Sequence, residues 1–528
     1  MPTLTPSDAL PDDPMALQAL VRSQYEQIAE LEQRLAWFLV QYRLAQHRRF
    51  AASTETGVHQ LDLFTELLAE VPPEDTAPAP ATPPVNVDDE RGLAGMARGH
   101  GGRRPLPASL PRETVVHDLA DDQKACPCCG QPCAVIGEER SEQVDIEPPR
   151  LKVLEHIRLK YACPACAHGG VQTTPKPPQP IPKSTASPGL LAWVVTAKIA
   201  DGLPLYRQEA IFRRLGIDLP RQTLAAWLIR LGRLVQPVIN LLQEELMTRA
   251  IILADETRLQ VLREAGRAAQ TDSWLWCYRS GQGPPIILFD YTETRAGKHP
   301  QAYLDGFSGY LLTDGLSAYE QVRTTTTQPT LAGCWSHARR YFHDIVKARP
   351  KTAQPGLADE ALTYIGALFH LEQRWKDVSA EQRRDLRHHY SAPILEKFKT
   401  WLDRHLPATA PKTLLGKAIR YTLKFWTRLT RFLQDGRLVL SNNATERAIK
   451  SFVIGRKAFL FAATPAGARA LANLYALVET AKANGVEPWA YLKKVFTALP
   501  QATTVDQIEA LLPWKIQQNE LSCNLSSE

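Results

Sequence analysis

The chain has 528 residues, 44% of them hydrophobic and 22% charged, with a formal net charge of +6. That length exceeds what one hydrophobic core organises and predicts about three or four domains, while the ordinary apolar content excludes a wholly disordered chain. No run approaches the ~20 apolar residues of a membrane helix, and the Pro- and Asp-rich N-terminus lacks a charged-then-apolar signal pattern, so a cytoplasmic location is expected.

Leu17, Gln24, Leu31 and Phe38 recur at a seven-residue spacing, interleaved with Val21, Ile28, Leu35 and Tyr42. The alternating spacing is that of a coiled-coil seam, which predicts a self-associating helical region over 1–70 with Gln24 tuning its register. An amphipathic helix docked on its own domain is the alternative. From Val71 the chain becomes rich in proline and then in Gly and Arg, a composition that predicts a linker over 71–112.

Six of the nine cysteines fall between Cys126 and Cys166. Cys126-Pro-Cys-Cys129 and Cys163-Pro-Ala-Cys166 form two Cys-x-x-Cys knuckles, and a zinc-binding domain over 113–175 is expected, with one structural zinc ion held by Cys126, Cys129, Cys163 and Cys166. Either Cys128 or Cys133 can replace Cys129 in that set. Between the knuckles, Val144 to Tyr161 alternates apolar and polar residues around Pro148-Pro149 and reads as a hairpin. The separation is longer than the commonest zinc-ribbon spacing. Disulfides are the competing reading, disfavoured where no secretion signal is present.

A proline-rich connector, Pro175 to Pro188, leads to a helical region over 184–248. There Glu209 to Leu215 reads as a helix, Gly216 to Leu219 as a turn, and Pro220 to Trp227 as a second helix. This is a helix-turn-helix pattern, and it puts Arg221 and Gln222 at the start of the helix that enters a DNA major groove. Plain helical packing gives the same pattern.

From Ala250 the periodicity becomes that of strands: Ala250 to Ala254, Ser273 to Arg279 and Pro285 to Tyr291 read as an antiparallel meander. A helix at Lys298 to Leu304, a strand at Tyr310 to Thr313, a helix near Ser317 to Val322, a strand at Leu331 to Cys334 and a helix at Ser336 to Lys347 follow. That order predicts a mixed α/β catalytic domain of the ribonuclease H-like fold over 249–498, with a tail over 499–528. In that fold carboxylates sit on the first strand and at the end of the fourth, which selects Asp255 and Asp314. Asp290 is the main competitor, set aside because its strand would lie at the sheet edge. With Glu446 from a helix, two such strand-end carboxylates converge on a pair of magnesium ions suited to in-line phosphoryl transfer.

A helical insertion is expected over about 350–440. Between Lys412 and Lys457 there are eleven Lys and Arg against Asp435 and Glu446, a segment charge of 11 − 2 = +9. Lys417, Arg420, Lys424, Arg428 and Arg431 recur at helical spacing and predict one basic stripe contacting phosphates, with a solvated face as the alternative. Asn443-x-x-Glu446 also fits a capping box, in which Glu446 only reaches back to the helix's first amide. Around that helix start Asn443, Arg447, Lys450, Arg456 and Lys457 gather polar and cationic groups where a phosphate is attracted.

Several segments carry a family resemblance: Ala254-Asp255-Glu256-Thr257, Thr313-Asp314-Gly315, Gly333-Cys334-Trp335-Ser336-His337-Ala338-Arg339-Arg340, Asn442-Asn443-x-x-Glu446-Arg447-Ala448-Ile449, and Val478 to Gly485. Together they resemble transposases of the insertion-sequence-66 family, a DDE-type group of bacterial mobile elements. The cysteine module is similar to that family's zinc-binding domain, and Gly202-Leu203-Pro204-Leu205-Tyr206-Arg207-Gln208 to the start of its central region. The resemblance implies that Asp255, Asp314 and Glu446 are the metal-binding triad, with His337, Arg339 and Arg340 beside it and contacting the scissile phosphate. It departs from the family pattern at Lys450-Ser451, at Ala458-Phe459-Leu460-Phe461 and at Ala51, none of which touches a triad carboxylate.

The expected activity is magnesium-dependent cleavage at the ends of an insertion sequence, followed by attack of the freed 3′-hydroxyl on target DNA. Asp255 with Asp314 would hold one magnesium ion, and Asp255 with Glu446 a second, which would supply water activation and stabilisation of the leaving 3′ oxygen. The expected partners are double-stranded DNA (element ends and target), a second copy of the chain through the N-terminal helix, and companion proteins of the same element; no membrane. Two other functions share most of these features: a zinc-dependent DNA-binding regulator with an inactive nuclease-like domain, and a structure-specific nuclease that cuts without joining.

Overall fold

Apolar runs between residues 251 and 333 become the five strands of one mixed sheet in the computed structural model. The structure describes residues 151–162, 171–323, 328–350 and 354–516, together with Asp13, Met15, Gln18, Gln24, Ile28 and Leu31. Cys126, Cys129, Cys163 and Cys166, the linker and most of the heptad positions lie outside the described residues. Residues 73–153 form one unit, of which 151–153 are described, and the remainder of the chain forms the other.

Two short strands, β1 (Lys160–Ala162) and β2 (Val171–Thr173), pair antiparallel and bracket the second cysteine knuckle in sequence. The main sheet holds β3 (Ile251–Gln260), β4 (Asp272–Ser280), β5 (Ile287–Thr292), β6 (Tyr310–Thr313) and β7 (Thr330–Gly333), in the order β5-β4-β3-β6-β7. β3 pairs antiparallel with β4 and parallel with β6, so it is central. Its opening run Ile251 to Ala254 is buried throughout, which is why that run reads as continuously apolar rather than alternating. The strand then continues to Gln260, beyond the expected end at Ala254, because β4 goes on pairing with it from Glu256↔Trp276 to Gln260↔Asp272. Asp255 is therefore inside a strand, not at its end.

Helices α1 (Pro188–Ile199), α2 (Leu205–Arg214), α3 (Arg221–Leu234) and α4 (Gln236–Met247) precede the sheet. α5 (Lys298–Tyr303) and a 3-10 turn at Ser317–Gln321 cover one sheet face, where Tyr303 stacks on Tyr278 and Tyr319 meets Trp276 edge-on. After β7 come α6 (Trp335–Ala348), then the inserted helices α7 (Leu357–Arg374), α8 (Ala380–Leu386), α9 (Ala392–His405), α10 (Leu414–Lys424) and α11 (Trp426–Leu429). Their core is aromatic: Trp335, Phe342, Phe398 and Trp401 pack together. Buried Arg387 donates to Glu372 and to the carbonyls of Phe432, Asp435 and Leu438, which fixes the chain leading into the next helix.

α12 (Asn443–Phe459), α13 (Pro465–Ala483), α14 (Pro488–Ala498) and α15 (Val505–Glu509) are the last α-helices among the described residues. α13 lies on the second sheet face, with Phe289 of β5 against Tyr475. The helices before the sheet are not separated from it: Leu224, Leu231 and Leu242 belong to the same core as Leu275, Phe289 and Tyr475. Gly232 permits this, since a Cβ there would stand 2.5 Å from Ala470 Cα. Part of the expected tail also joins that core through Leu511, Leu512 and Ile516. Among the described residues no helix is long and apolar enough to cross a membrane.

Candidate active site

Strand register brings the first two carboxylates together. Leu253 of β3 pairs with Leu312 of β6, so Asp255 and Asp314, each two residues further on, stand level on parallel neighbours. Immediately after β6, Leu316 N donates to Asp314 Oδ1 at 2.9 Å, and Gly315 turns the chain at φ +94°. A side chain on Gly315 would meet the Phe425 ring at 2.7 Å, and Tyr421 Oη donates to the Asp314 carbonyl at 2.6 Å. The insertion thus holds the Asp314 turn in place.

Glu256 joins this pair, a residue the motif reading left without a role. Oxygens of Asp255, Glu256 and Asp314 lie within 4.8 Å of one another. Glu256 accepts from Arg295 Nε at 3.0 Å and from Tyr319 Oη at 2.9 Å, and its side chain is 2% exposed. Arg295 in turn lies over the Trp274 ring at 4.7 Å. Burial raises the Asp255 carboxyl well above the usual carboxylate range, and the charges of Glu256, Glu446 and Asp314 push it further. Burial and Asp314 also raise Glu256, against the pull of Arg295.

Glu446 approaches from α12. The helix is capped at Asn442, and Glu446 N makes an ordinary helical bond to the Asn442 carbonyl at 3.1 Å. The alternative capping box at Asn443-x-x-Glu446 is not formed, because Asn443 is already the first helical residue and the Glu446 carboxylate meets Arg340 and His337. Its Oε2 accepts from Arg340 at 3.1 Å, and Oε1 lies 3.7 Å from His337 Nε2, buried and without a hydrogen-bond partner among the described residues. Cys334, His337 and Glu446 form a second close group. Burial lowers the His337 pKa against the pull of Glu446.

Asn442 sets the position of α12. Its Nδ2 donates to the Ala254 carbonyl at 2.9 Å, one residue before Asp255, while its own N–H donates to Cys334 Sγ at 3.1 Å. Arg279 donates to the Ala444 carbonyl at 3.1 Å. The sequence offered a hint in the doubled asparagine, but nothing local says which of the two faces the strand.

Asp290 stands apart from the cluster because β5 is an edge strand with β4 between it and β3. It shares the sheet face of Trp276 and Glu256, whereas Asp255 lies on the Cys277 and Phe289 row of the other face.

Among the expected DNA contacts, Arg221 and Gln222 are exposed at the start of α3. Lys417, Arg420 and Lys424 are exposed along α10, but the basic stripe ends there. The helix breaks at Phe425; Arg428 binds Glu320 at 2.8 Å and Arg431 donates to the Leu331 carbonyl. Asn443 is buried, Lys450 and Arg339 are half-buried, and Arg447 and Lys457 are exposed. Arg456 donates to the Arg258 carbonyl.

Comparison with known proteins places the chain among transposases. The family described as "Transposase IS66 family" matches residues 183–470, "IS66 C-terminal element" 476–514, "zinc-finger binding domain of transposase IS66" 123–167, and "Transposase C of IS166 homeodomain" 37–115. The chain belongs to the IS66 transposase family. Relatives in Sinorhizobium fredii (strain NBRC 101917 / NGR234) include uncharacterized protein y4jD, 33% identical over 462 residues, covering 84% of this chain and 88% of that protein. Uncharacterized protein y4qI of the same strain is 30% identical over 544 residues, covering 97% and 98%.

Proposed function

We propose that this transposase cuts DNA at the ends of its element and joins the 3′-hydroxyl ends to target DNA at Asp255, Asp314 and Glu446. The observation that carries this reading is the placement of Asp255 on β3 beside Asp314, which directly follows β6, with Glu446 brought near by α12. The strand order β5-β4-β3-β6-β7, three antiparallel strands extended by two parallel ones, supports a ribonuclease H-like domain.

The donors fit a hard divalent cation. All are carboxylate oxygens, they repel one another where burial already disfavours their charge, and Glu446 Oε1 is buried without a hydrogen-bond partner among the described residues. Asp255 with Asp314, and Asp255 with Glu446, would hold two magnesium ions, which when bound supply the Lewis acidity for in-line displacement at phosphorus. The chain's own part is orientation. Arg295 and Tyr319 fix Glu256 against Asp255, Tyr421 fixes the Asp314 turn, and Asn442 fixes α12. Arg340 holds Glu446 and, 45% exposed, carries positive charge to the rim where a phosphate approaches.

The match of the zinc-finger domain across Cys126, Cys129, Cys163 and Cys166 supports one structural zinc ion. Self-association through the N-terminal helix is supported by Gln24, Ile28 and Leu31, three seam positions that are helical and exposed within the chain. Exposed Arg221, Gln222, Lys417, Arg420, Lys424, Arg447 and Lys457 are the surface cations and amide assigned to DNA. Asp255→Asn is expected to abolish cleavage and strand transfer while DNA affinity is retained, measured with end-containing duplexes and magnesium. A fully active variant refutes the triad, and cutting without joined product from pre-cut ends refutes the transfer step.

A further inference from the structure

α12 begins at the carboxylate site and ends at a tip of different character. Leu460, directly after the helix, adopts φ +66° and ψ −53°, and Phe461 N donates to the Phe459 carbonyl at 2.8 Å. This is the sterically disfavoured form of the γ-turn, uncommon for any side chain larger than glycine. The next residue is anchored on both sides: Ala462 N donates to the Gln260 carbonyl, and Leu262 N donates to the Ala462 carbonyl. The turn is thus held against the end of β3, and it leaves Leu460 62% and Phe461 40% exposed.

The surroundings of this apolar pair are cationic. Arg456 donates to the Arg258 carbonyl, the Arg258 side chain is 68% exposed, and Lys457 is exposed. Asp272, paired with Arg258 at 3.1 Å, is the acidic counterpart named at this rim. An apolar projection in a cationic frame complements a partner that is anionic outside and apolar within, which describes stacked duplex DNA.

We propose that Leu460 and Phe461 form a wedge that enters a base step of the DNA held at the carboxylates. The inference rests on the proposed function. Gln260, whose carbonyl anchors the turn, lies five strand residues beyond Asp255, roughly 17 Å, and Phe459 lies thirteen helical residues beyond Glu446, roughly 20 Å. Those distances place the wedge about five to six base pairs from the scissile phosphate, at ~3.4 Å per base pair. An inserted apolar side chain unstacks and kinks the duplex, which exposes the backbone at the cut to the carboxylates.

The test uses the full-length chain and duplexes spanning the junction between the element end and flanking DNA, with permanganate as the probe for unstacked thymines. Wild type is expected to give hyperreactive thymines about five to six base pairs from the cut. Leu460→Gly suits the positive φ, and Leu460→Asn tolerates it; both are expected to lose that reactivity and to slow cleavage about tenfold or more, with binding changed by less than about threefold. Thermal melting confirms that each variant is folded, and either variant alone suffices. Asp255→Asn keeps the permanganate signal while losing cleavage, which separates failure of the wedge from failure of the triad. Wild-type reactivity in both Leu460 variants overturns the wedge. So does loss of self-association at unchanged reactivity, which would give the tip to a second copy of the chain.

Discussion

Asp290 offers a quantitative test of which acids belong to the site. Burial pushes its carboxyl up from 3.8 to about 6, with Arg469 opposing. At about 1.4 kcal/mol per pH unit, ionising it in the folded protein costs about 3 kcal/mol. Because its folded value lies above its unfolded value, the contribution to stability is fully present below the unfolded value and is lost as pH rises through about 6. Asp290→Asn removes that loss. The variant should match wild type near pH ~4 and exceed it by up to about 3 kcal/mol at pH ~7, since the amide pays no ionisation cost. Urea denaturation of both proteins across that range reads the difference, and cleavage of an end-containing duplex reads the site. A stability difference that is flat with pH refutes the burial argument. Loss of cleavage comparable to that of Asp255→Asn refutes the placement of Asp290 outside the cluster.

Glu256→Gln leaves Arg295 and Tyr319 in place but removes one charge from the cluster, and is expected to weaken magnesium affinity about 10–100-fold. Calorimetric titration of the chain without DNA checks this, and unchanged affinity removes Glu256 from the site. Gly232→Ala forces a Cβ to within 2.5 Å of Ala470 Cα and should destabilise the chain by about 1–3 kcal/mol. A wild-type melting profile would mean that α3 is not docked on α13. Purified full-length protein should contain one zinc per chain, lost in Cys163→Ser; a zinc content near zero in wild type argues for disulfides instead.

Local pattern was enough for the strands and for the acids that end up together. Ile251 to Ala254, Tyr310 to Thr313 and the runs between them are short, apolar and bounded by turn residues, so their conformation is encoded within each segment. The same segments allowed Asp255 and Asp314 to be chosen, and the family motif supplied Glu446. The partner of each side chain was not written locally. Glu446 had a capping role available in sequence, but the fold turns its carboxylate to Arg340 and His337 instead. Arg428 and Arg431 fitted a helical stripe, yet the break at Phe425 sends them to Glu320 and the Leu331 carbonyl.

The sequence by itself determined the order of elements, the acidic and cationic chemistry and the family. Tertiary structure decided that Glu256 and Asp314 meet at Asp255, that Asp290 stays on the edge strand with β4 between it and β3, and that α1 to α4 share a core with the sheet. Periodicity and propensity act over a turn or a strand, whereas register and helix docking join residues separated by tens to hundreds of positions, as Asn442 meets the carbonyl of Ala254. Those long-range contacts bring Asp314 to Asp255 and Glu256, and raise the pKa of Asp255 through the charges of Glu256, Glu446 and Asp314 near it.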